Sequence, residues 1–189
     1  MFKKAVNALK NKEVIVYPTE TVYGLGADAK SSQAIKKVFE VKKRPLNKPI
    51  SIAVSSMDMI EEVAKLNYFK REIIKKILPG PVTLLLDSKN NLPDNLTAGS
   101  NKIGIRMPDN ELALKIIKRF GGPITSTSAN ISGTNPPNTP REVNLDVDVV
   151  VDNGRTILQL PSTIIDLEEG KIKRRGPLTK SSFIKIFWN

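Results

Sequence analysis

Cations and hydroxyls clustered in loops are the residues of this sequence best suited to chemistry. Lys42, Lys43, Arg44 and Lys48 crowd the end of a helical pattern and a proline-bounded loop, KKRPLNKP at 42–49. Arg holds phosphate bidentately and Lys acts as a point charge, so the cluster suits a triphosphate. The plainer reading is a solvated face whose cations complement a helix C-terminus. Ser126, Thr127, Ser128 and Asn130 follow an apolar run and precede a turn-forming ISG. Such a segment either brings hydroxyls and backbone N–H groups against an anion or simply makes a turn. Arg106 ends KIGIR just before Met107-Pro108, where a guanidinium would clamp a carboxylate or lie on the surface. Ser162 in PSTIID and Arg174-Arg175-Gly176 carry weaker signals of their own.

The chain holds no Cys and no His. That excludes thiolate nucleophiles, Cys/His zinc sites, iron–sulfur clusters and Ser-His-Asp arrangements. Chemistry must run on carboxylates, hydroxyls, Lys, Arg, backbone groups or a hard cation such as magnesium on oxygen ligands. Lys and Arg number 30 against 19 Asp and Glu, a net charge of +11. Acidic partners follow: nucleotides, RNA or an anionic surface. Gly24-Leu25-Gly26-Ala27-Asp28-Ala29 formally fits G-x-G-x-x-A. Its distance from the preceding apolar run and the lack of an acid at the end of a second strand oppose a dinucleotide site, leaving a Gly turn as the plain reading.

The elements that must position these loops alternate along the chain. Apolar runs at 13–17, 49–54, 82–86, 102–106, 123–127, 148–151 and 162–166 read as strands. Helical patterns open at Ser31 or Ser32, Ser56, Asn67 and Asp109, the last closed by Gly121-Gly122, and Thr179 offers a cap for a final short helix. KIKR at 171–174 is placed to pair as a hairpin with STIID. These patterns predict one α/β domain over residues 1–189, a twisted mixed sheet with flanking helices. No run of 18 apolar residues and no signal-peptide core is present, so a cytoplasmic protein with no membrane association is expected.

In this order, YPTETVYGLGADA, Lys42-Lys43-Arg44-Pro45, PGPVTLLL, IGIRMPD, STSANISG, PSTIID and Arg174-Arg175-Gly176 closely resemble the YrdC family of threonylcarbamoyl-AMP synthases, from about residue 13 to 177. The resemblance implies an α/β sheet enclosing a concave, positively charged cavity. It implies that L-threonine, bicarbonate and ATP, with magnesium, are joined into threonylcarbamoyl-AMP with release of pyrophosphate. A downstream tRNA threonylcarbamoyl transferase would then place the group on adenosine 37 of tRNA. By the same resemblance Lys42, Arg44, Ser128 and Asn130 line the ATP site as its catalytic set. Lys48 and Arg174 join Arg44 and Asn130 on the nucleotide, Thr21 and Arg106 hold threonine, and Ser162 completes the substrate wall. The segment from Thr134 to Pro140, with three prolines, is a candidate lid.

Two other readings compete. A basic concave surface also suits tRNA or double-stranded RNA without nucleotidyl transfer, although 5% aromatic content argues against a stacking platform. A carbamoyl-adenylate-handling domain like that of the hydrogenase-maturation carbamoyltransferases would bring acylphosphatase-like and zinc-finger segments, which this sequence lacks.

Overall fold

Local side-chain chemistry starts the helices, and the structure, a computed structural model, describes residues 1–179. Helix α1 (Phe2–Lys10) leads into β1 (Ile15–Tyr17) and β2 (Gly24–Gly26). Helix α2 (Ser32–Lys42) is capped by Ser31, whose Oγ accepts from the Ala34 N–H at 3.3 Å. After β3 (Ser51–Ala53), Ser56 caps α3 (Met57–Val63) and Asn67 caps α4 (Tyr68–Ile77) in the same way. Strand β4 (Val82–Asp87), the single-turn α5 (Asp94–Thr97) and β5 (Lys102–Arg106) follow. Helix α6 (Glu111–Phe120) begins one residue later than the sequence suggests: Asn110, not Asp109, accepts from the Ala113 N–H at 3.0 Å. Gly121 ends it at φ 88°, a left-handed conformation that glycine reaches without strain. The chain continues through β6 (Ile124–Ser128), a 3-10 turn (Pro140–Glu142), β7 (Val149–Val150), β8 (Thr163–Asp166) and β9 (Lys171–Arg174). The short helix expected after Thr179 lies outside the described residues.

Among the described residues nine strands form one mixed sheet in the order β7-β1-β2-β6-β3-β5-β4-β8-β9. Strands β1–β7, β3–β5 and β4–β8 run parallel, the remaining neighbours antiparallel. The hairpin expected of KIKR and STIID is present as β8–β9. Because strand side chains alternate between faces, the sheet has two different sides. Leu25, Ile52, Leu84, Ile105 and Ile165 point to one side and pack with Ile35, Phe39, Ile60 and Ile74 of α2, α3 and α4. On the other, Ile15, Tyr17, Ala53 and Ile124 pack under Leu9 of α1 and Ile116 and Ile117 of α6. Those two helices cover only part of that face. The remainder carries Gly24, Ser51, Thr83, Arg106, Ser126 and Ser128, small or polar residues that line an open cavity. No helix among the described residues is long and apolar enough to cross a membrane.

Gly24 and Gly26 do not make the expected turn; they form β2, paired with β1 and β6. Their lack of a side chain matters because the fully buried Tyr17 ring lies across them: a Cβ on Gly24 would stand 2.9 Å from Tyr17 Cζ, and one on Gly26 3.0 Å from its ring carbons. Gly24→Ala is therefore expected to cost about 1–3 kcal/mol through overpacking. Denaturant unfolding checks this, and unchanged stability would show that the ring yields.

Candidate active site

The cavity on the partly covered face has a volume of about 580 Å³, within the roughly 300–1,000 Å³ of ligand sites. Six cations reach its walls, Lys42, Arg44, Lys48, Arg106, Lys173 and Arg174, and no carboxylate is among its described lining residues. The wall is thus built for negative charge. Of the residues singled out from sequence, Lys42, Arg44, Lys48, Arg106, Ser128, Asn130, Ser162 and Arg174 all line it. Thr21 does not; it is fully buried one layer behind.

The end of α2 delivers the first group. Lys43 takes a left-handed conformation at φ 50°, reversing the chain, so that Lys42 on the last turn and Arg44 after it both face inward. Lys42 is 2% exposed. Its Nζ donates to the Ser128 carbonyl and, at 2.7 Å, to the Asn130 carbonyl, while its own carbonyl accepts from the Ser132 N–H at 2.8 Å. It clamps the loop after β6 and keeps its third N–H. Burial, with a smaller push from Arg44, lowers the ammonium from its ordinary 10.5 to about 8. Arg44 donates from Nε to the Lys48 carbonyl at 3.2 Å and from Nη2 to the Pro49 carbonyl at 2.8 Å, bracing its own loop. Burial lowers its pKa as well. Lys48 is exposed, at the rim. Asn130 Nδ2 closes the following turn through the carbonyls of Ile131 and Thr134, and its buried Oδ1 has no hydrogen-bond partner among the described residues.

A second part of the wall centres on Arg106, 6% exposed at the end of β5. Its Nη2 donates to Glu20 Oε1 at 2.8 Å and its Nη1 to Thr21 Oγ1 at 3.1 Å. Thr21 in turn lies 2.8 Å from Thr19 Oγ1. Lys42, Arg44 and Arg106 thus line one cavity, each held by described hydrogen bonds.

Comparison with known proteins bears directly on this arrangement. The Sua5/YciO/YrdC family model, described as "Telomere recombination", matches residues 7–176. The chain belongs to the Sua5/YciO/YrdC family. It is 34% identical over 178 residues to the threonylcarbamoyl-AMP synthase of Klebsiella pneumoniae, covering 91% of this chain and 94% of that protein. With the threonylcarbamoyl-AMP synthase of Pyrococcus abyssi it shares 38% identity over 170 residues, 87% of this chain but half of that longer one. The structure of P. abyssi Sua5 complexed with L-threonine superposes with a TM-score of 0.94 at 34% identity, over 99% of this chain and 57% of the other.

In this family member the R-x-G motif builds the third wall. Arg174 donates from Nε and Nη2 to the Ser162 carbonyl at 3.1 and 2.8 Å, and from Nη2 to Ser162 Oγ at 3.2 Å. Ser162 Oγ lies 2.8 Å from Thr83 Oγ1, so its hydroxyl is part of the wall rather than free. Burial, then the charge of Arg106, lowers the Arg174 pKa. Gly176 makes the approach possible: a Cβ there would sit 2.4 Å from the Pro161 carbonyl oxygen and 2.5 Å from the Thr163 nitrogen. Of the two adjacent arginines, Arg174 lines the cavity and Arg175 is not among its lining residues.

Glu20 and Lys173 were not expected from sequence. Glu20 is hidden in a run of loop residues, and its partner lies 86 positions away. Lys173 is one of three exposed cations on β9 and looks like any surface lysine. Among the described residues no group of three or more acidic side chains could hold a metal. The donor set of the cavity does not fit a protein-held magnesium.

Proposed function

We propose that this chain is an L-threonylcarbamoyladenylate synthase, making threonylcarbamoyl-AMP and pyrophosphate from L-threonine, bicarbonate and ATP. The observation that carries this reading is the convergence of Lys42, Arg44, Arg106 and Arg174 on one cavity with no carboxylate among its described lining residues. The synthase names of its relatives and the L-threonine in its structural neighbour support it. In this reading the threonine amine attacks bicarbonate, forming an N–C bond and releasing water. A carbamate oxygen then attacks the α-phosphorus of ATP, the bond to the bridging oxygen breaks, and pyrophosphate leaves.

Each residue acts by position and charge, so the missing histidine is no obstacle. Lys42, Arg44 and Lys48 neutralise the triphosphate, and Ser128 and Asn130 shape the nucleotide loop. Arg106, braced by Thr21, takes the amino-acid carboxylate, while Ser162 and Arg174 close the wall between the two ligands. Crowded cations also disfavour the ammonium form of threonine and promote the free amine. Magnesium enters with ATP as part of the substrate, on phosphate oxygens. The product passes to a tRNA threonylcarbamoyl transferase, and both steps belong in the cytoplasm.

Pyrophosphate release, followed while threonine and bicarbonate are omitted in turn, tests the reading. Release that needs both and fails in Arg44→Ala is expected. Release indifferent to threonine would overturn it, and salt-sensitive RNA binding without turnover would favour the RNA-binding module.

A further inference from the structure

Arg106 owes its place to Glu20 and Thr21, neither of which is among the described residues lining the cavity. Glu20, 5% exposed, accepts from Nη2 through Oε1 alone, and Thr21 accepts from Nη1. Glu20 Oε2 and Arg106 Nε are buried without hydrogen-bond partners among the described residues. A buried Arg–carboxylate pair serving stability alone is best made bidentate, and an unsatisfied buried atom on each partner calls for another explanation. The monodentate contact leaves Nη1 and Nη2 each with a second N–H. Glu20 is itself tied down, its carbonyl accepting from the Leu158 N–H at 2.9 Å. Thr19 Oγ1 fixes the same turn by donating to the Val22 carbonyl at 2.6 Å.

We propose that Glu20 is a positioning residue for amino-acid binding. With Thr21 it fixes the rotation of the Arg106 guanidinium, so that the second N–H of each terminal nitrogen is presented to a ligand carboxylate. This rests on the reading of Arg106 as the carboxylate site. Glu20 acts through reach more than through charge. Among the described residues no hydrogen bond joins Lys42 or Arg44 to this bracket, so the effect falls on the amino acid more than on ATP.

The test uses the full chain with Glu20→Gln, Glu20→Asp and Glu20→Ala, reading KM for L-threonine and for ATP separately together with calorimetric L-threonine binding. Gln keeps the reach and the acceptor without the charge; Asp keeps the charge but falls a methylene short. Asp is expected to raise the threonine KM about 10- to 100-fold, as a misplaced positioning group does. Gln should stay within about threefold and ATP KM within about twofold for both. Ala should resemble Asp; where Ala does not fold, the ranking of Asp against Gln decides alone. Gln no better than Asp, equal losses for ATP and threonine, or no loss in Asp would each overturn the proposal. If the wild-type chain bound no L-threonine, the reading of the cavity would fall first and this inference with it.

Discussion

Arg106→Ala is expected to lose about 3–5 kcal/mol of folding stability, the cost of leaving a buried charge without its partner. Both members of the pair are less than a tenth exposed. Glu20 already has one oxygen without a partner among the described residues, and removing Arg106 would strand the other. The same change removes the guanidinium that Thr21 braces, so threonine-dependent turnover should vanish even at temperatures where the variant is folded. Denaturant unfolding and pyrophosphate release at saturating threonine separate the two effects. A loss below about 1 kcal/mol, the range of exposed pairs, would mean that water reaches the pair.

Lys42 carries the second large effect, in which stability and activity move oppositely with pH. Its folded-state pKa of about 8 lies below the ordinary 10.5 because burial, then Arg44, penalises the ammonium. The burial cost is present in full below about 8. Between those two values the unfolded chain binds more protons than the folded one, so this residue's contribution makes stability rise with pH through the window. The neutral amine keeps N–H groups for the carbonyls of Ser128 and Asn130 but no longer neutralises phosphate. Thus kcat/KM for ATP should fall about tenfold per pH unit above about 8, since that ratio reports the free enzyme. Lys42→Arg should remove the fall, because its guanidinium stays charged throughout. Lys42→Met should lower kcat/KM about 10²- to 10³-fold at neutral pH, the scale of losing one preorganised electrostatic contact. A pH profile unchanged in Lys42→Arg would assign the titration to another group.

What could be read in the sequence was what short-range chemistry decides. Ser31, Ser56 and Asn67 announce their helices because a cap bonds to a backbone N–H three residues on. The apolar runs that became β3, β4 and β5 were likewise legible within each strand's own residues. Strand β2 was missed because its glycines answer to the ring of Tyr17, across the sheet, and not to a turn. In the site, Lys42, Arg44, Ser128 and Asn130 were legible as a set through the order of their motifs, and the fold brings them to one cavity. The partners they satisfy were not legible. Nothing near Lys42 in sequence signals that its ammonium holds carbonyls 86 and 88 positions away, and nothing near Thr21 signals that it stands behind Arg106. Long-range pairing is decided by packing, which leaves no local trace.

The most direct test of synthase activity is mass spectrometry of the nucleotide formed when the full chain is incubated with Mg·ATP, L-threonine and isotope-labelled bicarbonate. An adenylate carrying threonine and one labelled carbon, formed with one pyrophosphate each, is the expected result. ATP consumed with no threonine or label in the nucleotide would contradict it.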